Sequence, residues 1–135
     1  MMGDRAVLTT KGTNSGIYVH WTGSPEYIIA YAEAAKALKF RDPTDDPTYA
    51  MARLCGIICF DNGITGSTSV GIGNLDELDC DNGDNGVYVL GKDWQIVDWY
   101  GSGSGELPFD EGTLAAGKKR AAALVERLEK AEKVS

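Results

Sequence analysis

Short runs of β-branched and aromatic residues alternate along this chain with longer stretches whose apolar positions keep helical spacing. Residues 5–10, Arg-Ala-Val-Leu-Thr-Thr, read as a first strand, and residues 17–21, Ile-Tyr-Val-His-Trp, as a second. The turn between them, from Lys11 to Gly16, is rich in Gly, Thr, Asn and Ser. Ser24 and Pro25 then open a helix that should end near Phe40. Ser24 suits the N-cap, Pro25 the first helical position, and Ile28, Ala32, Ala35 and Leu38 share a face. Residues 41–47 form a loop. A second helix is expected from Thr48 to about Phe60, capped by Asp46, led by Pro47 and stopped at Asp61-Asn62-Gly63. Strands are expected at 68–72, 87–90 and 95–100, with an acidic loop over 74–86 and a hairpin turn over 91–94. This order predicts an α+β fold: an antiparallel sheet of about five strands with two helices on one face, and an extra C-terminal helix.

The pattern changes after residue 100. Gly101-Ser102-Gly103-Ser104-Gly105 is flexible by composition, so 1–100 reads as the α+β domain and 101–112 as a linker. Residues 113–134 read as a third helix with a narrow stripe of Leu114, Ala121, Leu124, Val125, Leu128 and Ala131. Docking on its own domain, pairing with a second copy and projecting into solvent all remain open for it.

Composition narrows the classes. With 43% hydrophobic and 24% charged residues, the 135-residue chain is neither disordered nor a coiled-coil rod. No apolar run approaches the ~20 residues that cross a bilayer, and the first residues lack a signal-peptide pattern, so a cytoplasmic protein is expected. The net charge of -7 arises entirely before residue 106, where 14 acidic side chains face 7 basic ones. Duplex nucleic acid is therefore disfavoured as a partner, because phosphate-backbone binding needs clustered cations, and the lack of a spanning run disfavours a membrane. Cys55, Cys59 and Cys80 are odd in number and lack the close ligand pairs of a structural zinc site. Reduced, packed thiols are expected, with no metal and no cofactor.

Three constellations could carry chemistry. At residues 20–25, His-Trp-Thr-Gly-Ser-Pro, a strand hands over to a helix. Free N–H groups at a helix start bind anions, Gly23 lets a ligand approach the backbone, Trp21 offers a face for a base, and His20 a polar contact. A capped helix beside a core Trp is the bland alternative. The acidic run Asp76 to Gly86 invites a calcium reading, but both registers of an EF-hand loop fail. A turn whose Asn and Asp side chains bond nearby backbone fits better, with a protein-facing patch of Asp79, Asp81 and Asp84 as the functional alternative. Arg53, between apolar residues of the second helix, either snorkels out, pairs with a carboxylate or reaches a ligand anion. No P-loop, His-Glu-x-x-His or Gly-x-Ser-x-Gly motif is present.

The runs Arg5-Ala6-Val7-Leu8-Thr9-Thr10-Lys11, Gly16 to Trp21, Ala52-Arg53-Leu54-Cys55 and Asp81 to Tyr88 resemble a family of small proteins of bacteriophages, prophages and some bacteria. The resemblance covers about residues 3–100, and its motifs assign no activity. It implies an accessory protein of a mobile element, a setting in which small acidic proteins often inhibit host defence. The leading expectation is a non-enzymatic binding protein that sequesters a nucleotide-like signalling molecule. Trp21 or a Tyr would stack the base, the N–H groups near Gly23 and Ser24 with Arg53 or Lys11 would hold phosphates, and His20 would add a contact. The alternative is an acidic inhibitor of a host nucleic-acid-binding defence protein, acting through Asp79, Asp81 and Asp84. A hydrolase or transferase ranks below both, because no activated nucleophile or metal set is visible. Homo-oligomerisation stays open.

Overall fold

A computed structural model describes residues 3–63 and 69–134. The elements are β1 (Ala6–Thr10), β2 (Ser15–Val19), α1 (Pro25–Ala37), α2 (Pro47–Asn62), β3 (Val70–Asn74), β4 (Val87–Leu90), β5 (Ile96–Tyr100) and α3 (Glu111–Val134). The fold is α+β, with five strands in the order β3-β2-β1-β4-β5. The sheet is mostly antiparallel. Its one parallel pair is β1 with β4, in register Val7 to Val87 and Thr10 to Leu90, which the expectation of a purely antiparallel sheet did not contain. The second strand, expected at 17–21, starts and ends two residues earlier, and Thr68, the predicted start of the third, lies outside the described residues.

Alternation along the strands divides the core. Ala6, Leu8, Ile17, Val19, Tyr88 and Leu90 face α1 and α2, and all are at most 1% exposed. From the helices they meet Ile28, Tyr31, Ala35, Leu54 and Ile58. Every residue of β1 is buried, so the second face of the sheet is covered over its central strand. Its cover is the acidic segment after β3. Leu75 and Leu78 pack over Gly16, where a Cβ would lie 2.8 Å from Leu75 Cδ2 and 3.2 Å from Val7 Cγ1. The run expected as an acidic loop therefore carries two apolar side chains that cover Gly16 on β2, next to Val7.

The two Pro-led helices start where predicted. Asp46 caps α2 by accepting from the Tyr49 N–H at 3.1 Å. Ser24 occupies the N-cap of α1, but its side chain makes no capping bond to the helix. The β4–β5 turn holds Asp93 and Trp94 in the left-handed region, at φ 59° and 60°. This conformation costs a bulky residue roughly 1–3 kcal/mol. Burial of the Trp94 ring and its indole N–H bond to the Phe40 carbonyl, at 3.2 Å, hold it there.

α3 settles on its own chain, along α1. Ala121 and Leu124 are buried, Arg120 lies over the Tyr27 ring and reaches Glu26, and Arg127 pairs with Asp61 at 3.2 Å. The Gly/Ser segment before it is packed. Gly105 abuts the Trp99 indole, and Gly103, at φ 91°, abuts the Asp84 carbonyl. Trp99 stacks on Tyr88 at 5.1 Å, and Phe109 tilts against Trp99 at 5.4 Å.

Gly117 lets α3 approach α1, since a Cβ there would lie 2.4 Å from Ile29 Cγ2. Gly117→Ala is expected to destabilise the fold by about 1–3 kcal/mol in urea denaturation. Gly56, whose Cβ would meet nothing within 4 Å, gives the opposite sign: Gly56→Ala should stabilise by about 0.5–1 kcal/mol.

Candidate functional site

The strand-to-helix junction at residues 20–25 is closed by the protein itself. Asp4 Oδ2 accepts from the Ser24 N–H at 3.0 Å, and the Ser24 hydroxyl donates to the same carboxylate at 2.7 Å. Asn85 Nδ2 donates to Asp4 Oδ1 at 2.8 Å. The Gly23 N–H donates to the Asp4 carbonyl, and the Gly23 carbonyl accepts from the buried Tyr88 hydroxyl at 2.9 Å. A Cβ on Gly23 would fall 2.5 Å from the Asp4 carbonyl oxygen. Gly23 thus permits close packing of backbone on backbone, and the amide expected to greet an anion already holds an internal one. His20 bonds through Nδ1 to the Tyr18 hydroxyl at 2.8 Å and meets the Trp21 ring edge-on. Trp21 itself is 45% exposed, outside the core.

The acidic run is a self-bonded turn built on Asn82. Its side-chain oxygen accepts from the N–H groups of Asp84, Asn85 and Gly86, and its amide donates to the Asp79 and Gly86 carbonyls. Asp84 accepts from the Arg5 backbone N–H and Nε, the latter at 2.8 Å. Arg5 also reaches Asp79 at 3.5 Å, with Asp79 half exposed. Of the three residues read as a partner-facing patch, Asp84 is engaged internally, Asp79 in part, and Asp81 faces solvent. The Arg5 hydrogen bonds hold the Asp84 carboxyl below its ordinary range.

Arg53 lies elsewhere, at a cleft of about 740 Å³ between α2, the end of α1 and the last turns of α3. Leu38, Phe40, Ile57, Phe60 and Leu128 form its apolar walls, and Arg53 and Lys133 bring positive charge. Glu129 and Glu132 lie on the same lining. The Arg53 guanidinium sits 4.9 Å from the Tyr49 ring centroid and 5.7 Å from that of Phe40. It donates to the Tyr49 hydroxyl, which lowers the Tyr49 pKa. Arg53 has no carboxylate within ion-pair distance among the described residues. Of the alternatives open for it, it therefore snorkels over aromatic rings and forms no ion pair among the described residues.

These placements separate the predicted ligand set. Lys11 follows the far end of β1 from Asp4, on the order of 20 Å away at about 3.3 Å per residue. Ser24 starts α1, while Leu38 and Phe40, beside Arg53, follow its other end, again on the order of 20 Å at 1.5 Å per residue. His20, Trp21, Gly23 and Ser24 stay together, and neither Lys11 nor Arg53 joins them. Phe40, Phe60 and Lys133 were missed as cleft residues. Their only sequence signal was an apolar or basic side chain near a helix end.

Cys55 and Cys59 are free and half-buried on α2, and burial, with Cys59 adding to it, pushes the Cys55 thiol up to about 11. No group of three or more His, Cys, Asp or Glu is placed to hold a metal among the described residues. No described helix is long and apolar enough to cross a membrane. In comparisons with known proteins, the chain matches no family model, no curated protein and no solved structure.

Removing the internal anion should loosen the junction: Asp4→Ala is expected to cost about 1–3 kcal/mol in urea denaturation. Asp84 supplies a pH signature. Its folded pKa is depressed, so its stabilisation is complete above the ordinary value of about 3.9 and is lost as pH falls through the folded one. Urea titrations from pH 7 downward should show wild type more stable than Asp84→Asn by a constant margin that shrinks below about pH 4.

Proposed function

We propose that this protein is a non-enzymatic binding protein for a small nucleotide-like anion, seated in the cleft between α2, the end of α1 and α3. The observation that carries the reading is Arg53: a guanidinium without a carboxylate partner among the described residues, held over Phe40 and Tyr49 at an apolar cleft. A phosphate would take its unused donors in a forked, charge-assisted contact, with Lys133 as a second cation. Phe40 and Phe60 would flank a base, and the carboxylate of Glu129 would accept from an exocyclic amine. The cleft volume, about 740 Å³, falls in the range that encloses small ligands.

This reading keeps Arg53 as the phosphate contact. It moves the seat away from His20, Trp21, Gly23 and Ser24, because Asp4 already fills the start of α1. Sequestration of a nucleotide-like signal of host defence is the biological role that the resemblance to phage and prophage proteins suggests for such a cleft. The acidic-inhibitor alternative is weakened by the engagement of Asp84 with Arg5.

Calorimetric titration with adenosine monophosphate, cyclic adenine nucleotides and adenosine tests the proposal. Saturable binding of a phosphate-bearing member is expected. Arg53→Gln should weaken it by about 10- to 100-fold while leaving any binding of adenosine unchanged, and Trp21→Ala should have no effect. Absence of heat with every nucleotide, or loss of binding in Trp21→Ala alone, would contradict it.

A further inference from the structure

A second cleft, of about 650 Å³, lies between α1, the β4–β5 turn and the segment that leads into α3. Ile29, Trp94, Ile96, Pro108 and Phe109 are among its walls, and Glu33 is the one charged side chain on its lining. Trp94 is 4% exposed and tied to the Phe40 carbonyl, so one aromatic wall is fixed in advance of any ligand.

Glu33 stands apart from the other half-buried carboxylates near α1. Asp4 accepts from Ser24 and Asn85, and Asp61 accepts from Tyr31 and pairs with Arg127. Glu33 is half-buried yet has neither a hydrogen bond nor an ion pair among the described residues. A carboxylate without a partner at the rim of an apolar cleft is free to take a cation brought by a ligand. The lining holds no Lys, Arg or His that would attract an anion instead. Aromatic rings at the same cleft favour a cation with an apolar body.

We infer that this cleft binds a small organic ammonium compound, its charged nitrogen on the Glu33 carboxylate and its apolar body against Trp94, Phe109 and Ile96. The assignment is independent of the Arg53 cleft, which has different walls and takes a ligand of opposite charge.

Three probes of nearly equal shape separate charge from hydrophobicity: phenethylamine, 2-phenylethanol and 3-phenylpropionate. Each is titrated into the full chain while the methyl resonances of Ile29, Ile96 and Leu114 are followed by NMR. Saturable shifts with phenethylamine are expected, at an affinity at least about tenfold above the other two. Glu33→Gln should remove that preference and leave the weak response to 2-phenylethanol intact, which also reports a preserved cleft. Equal affinity for all three probes, no saturation with phenethylamine, or an unchanged preference in Glu33→Gln would overturn the inference.

Discussion

One carboxylate joins three parts of this fold that are distant in sequence. Asp4, just before β1, accepts from Ser24 at the start of α1 and from Asn85 in the turn before β4. Its backbone bonds to His20 and Gly23 complete the tie. β1 must therefore enter the sheet where α1 begins, and the Asn82 turn must arrive beside it, which places β4 parallel to β1. A glycine at position 23 and a small hydroxyl at 24 follow from the same constraint. Asp4 provides internally the negative charge that a helix start favours. That single interaction closes the start of α1 to an external anion.

With the junction fixed, the apolar surfaces assemble around β1. Helices α1 and α2 cover one face of the sheet, and Leu75 and Leu78 pack on the other over Gly16. α3 then lies along α1 and completes two clefts of different character. At one end its last turns meet α2 beside Arg53, and at the other its first turn meets Trp94 and Phe109 beside Glu33. Each cleft pairs apolar walls with an ionic group that lacks an oppositely charged partner among the described residues.

Much of the local structure was legible in the sequence. Ser24-Pro25 and Asp46-Pro47 mark helix starts because Pro is tolerated where no N–H is needed, and both helices begin at those prolines. The side-chain bonds of the Asn82 turn were legible too, because Asn and Asp compete for nearby backbone. What escaped was non-local. The parallel β1–β4 pair joins residues about eighty positions apart, and no local pattern encodes it. Ser24 has the residue type of an N-cap, yet its hydroxyl goes to Asp4, a partner that only the tertiary fold supplies. The Gly/Ser segment looked flexible because glycine usually marks freedom, whereas here Gly103 and Gly105 permit close contacts. Of the predicted ligand set, Arg53 was singled out for being a cation among apolar residues, and that local oddity survives. Its grouping with Lys11 and Ser24 needed distances that sequence does not contain.

On the proposed reading, an anionic ligand sits at Arg53 and not at the start of α1. Backbone and arginine side-chain NMR of the full chain during addition of adenosine monophosphate tests it most directly. Perturbations are expected to gather on Phe40, Arg53, Ile57 and Leu128 and to spare residues 20–25. Perturbations confined to His20, Trp21, Gly23 and Ser24 would contradict it.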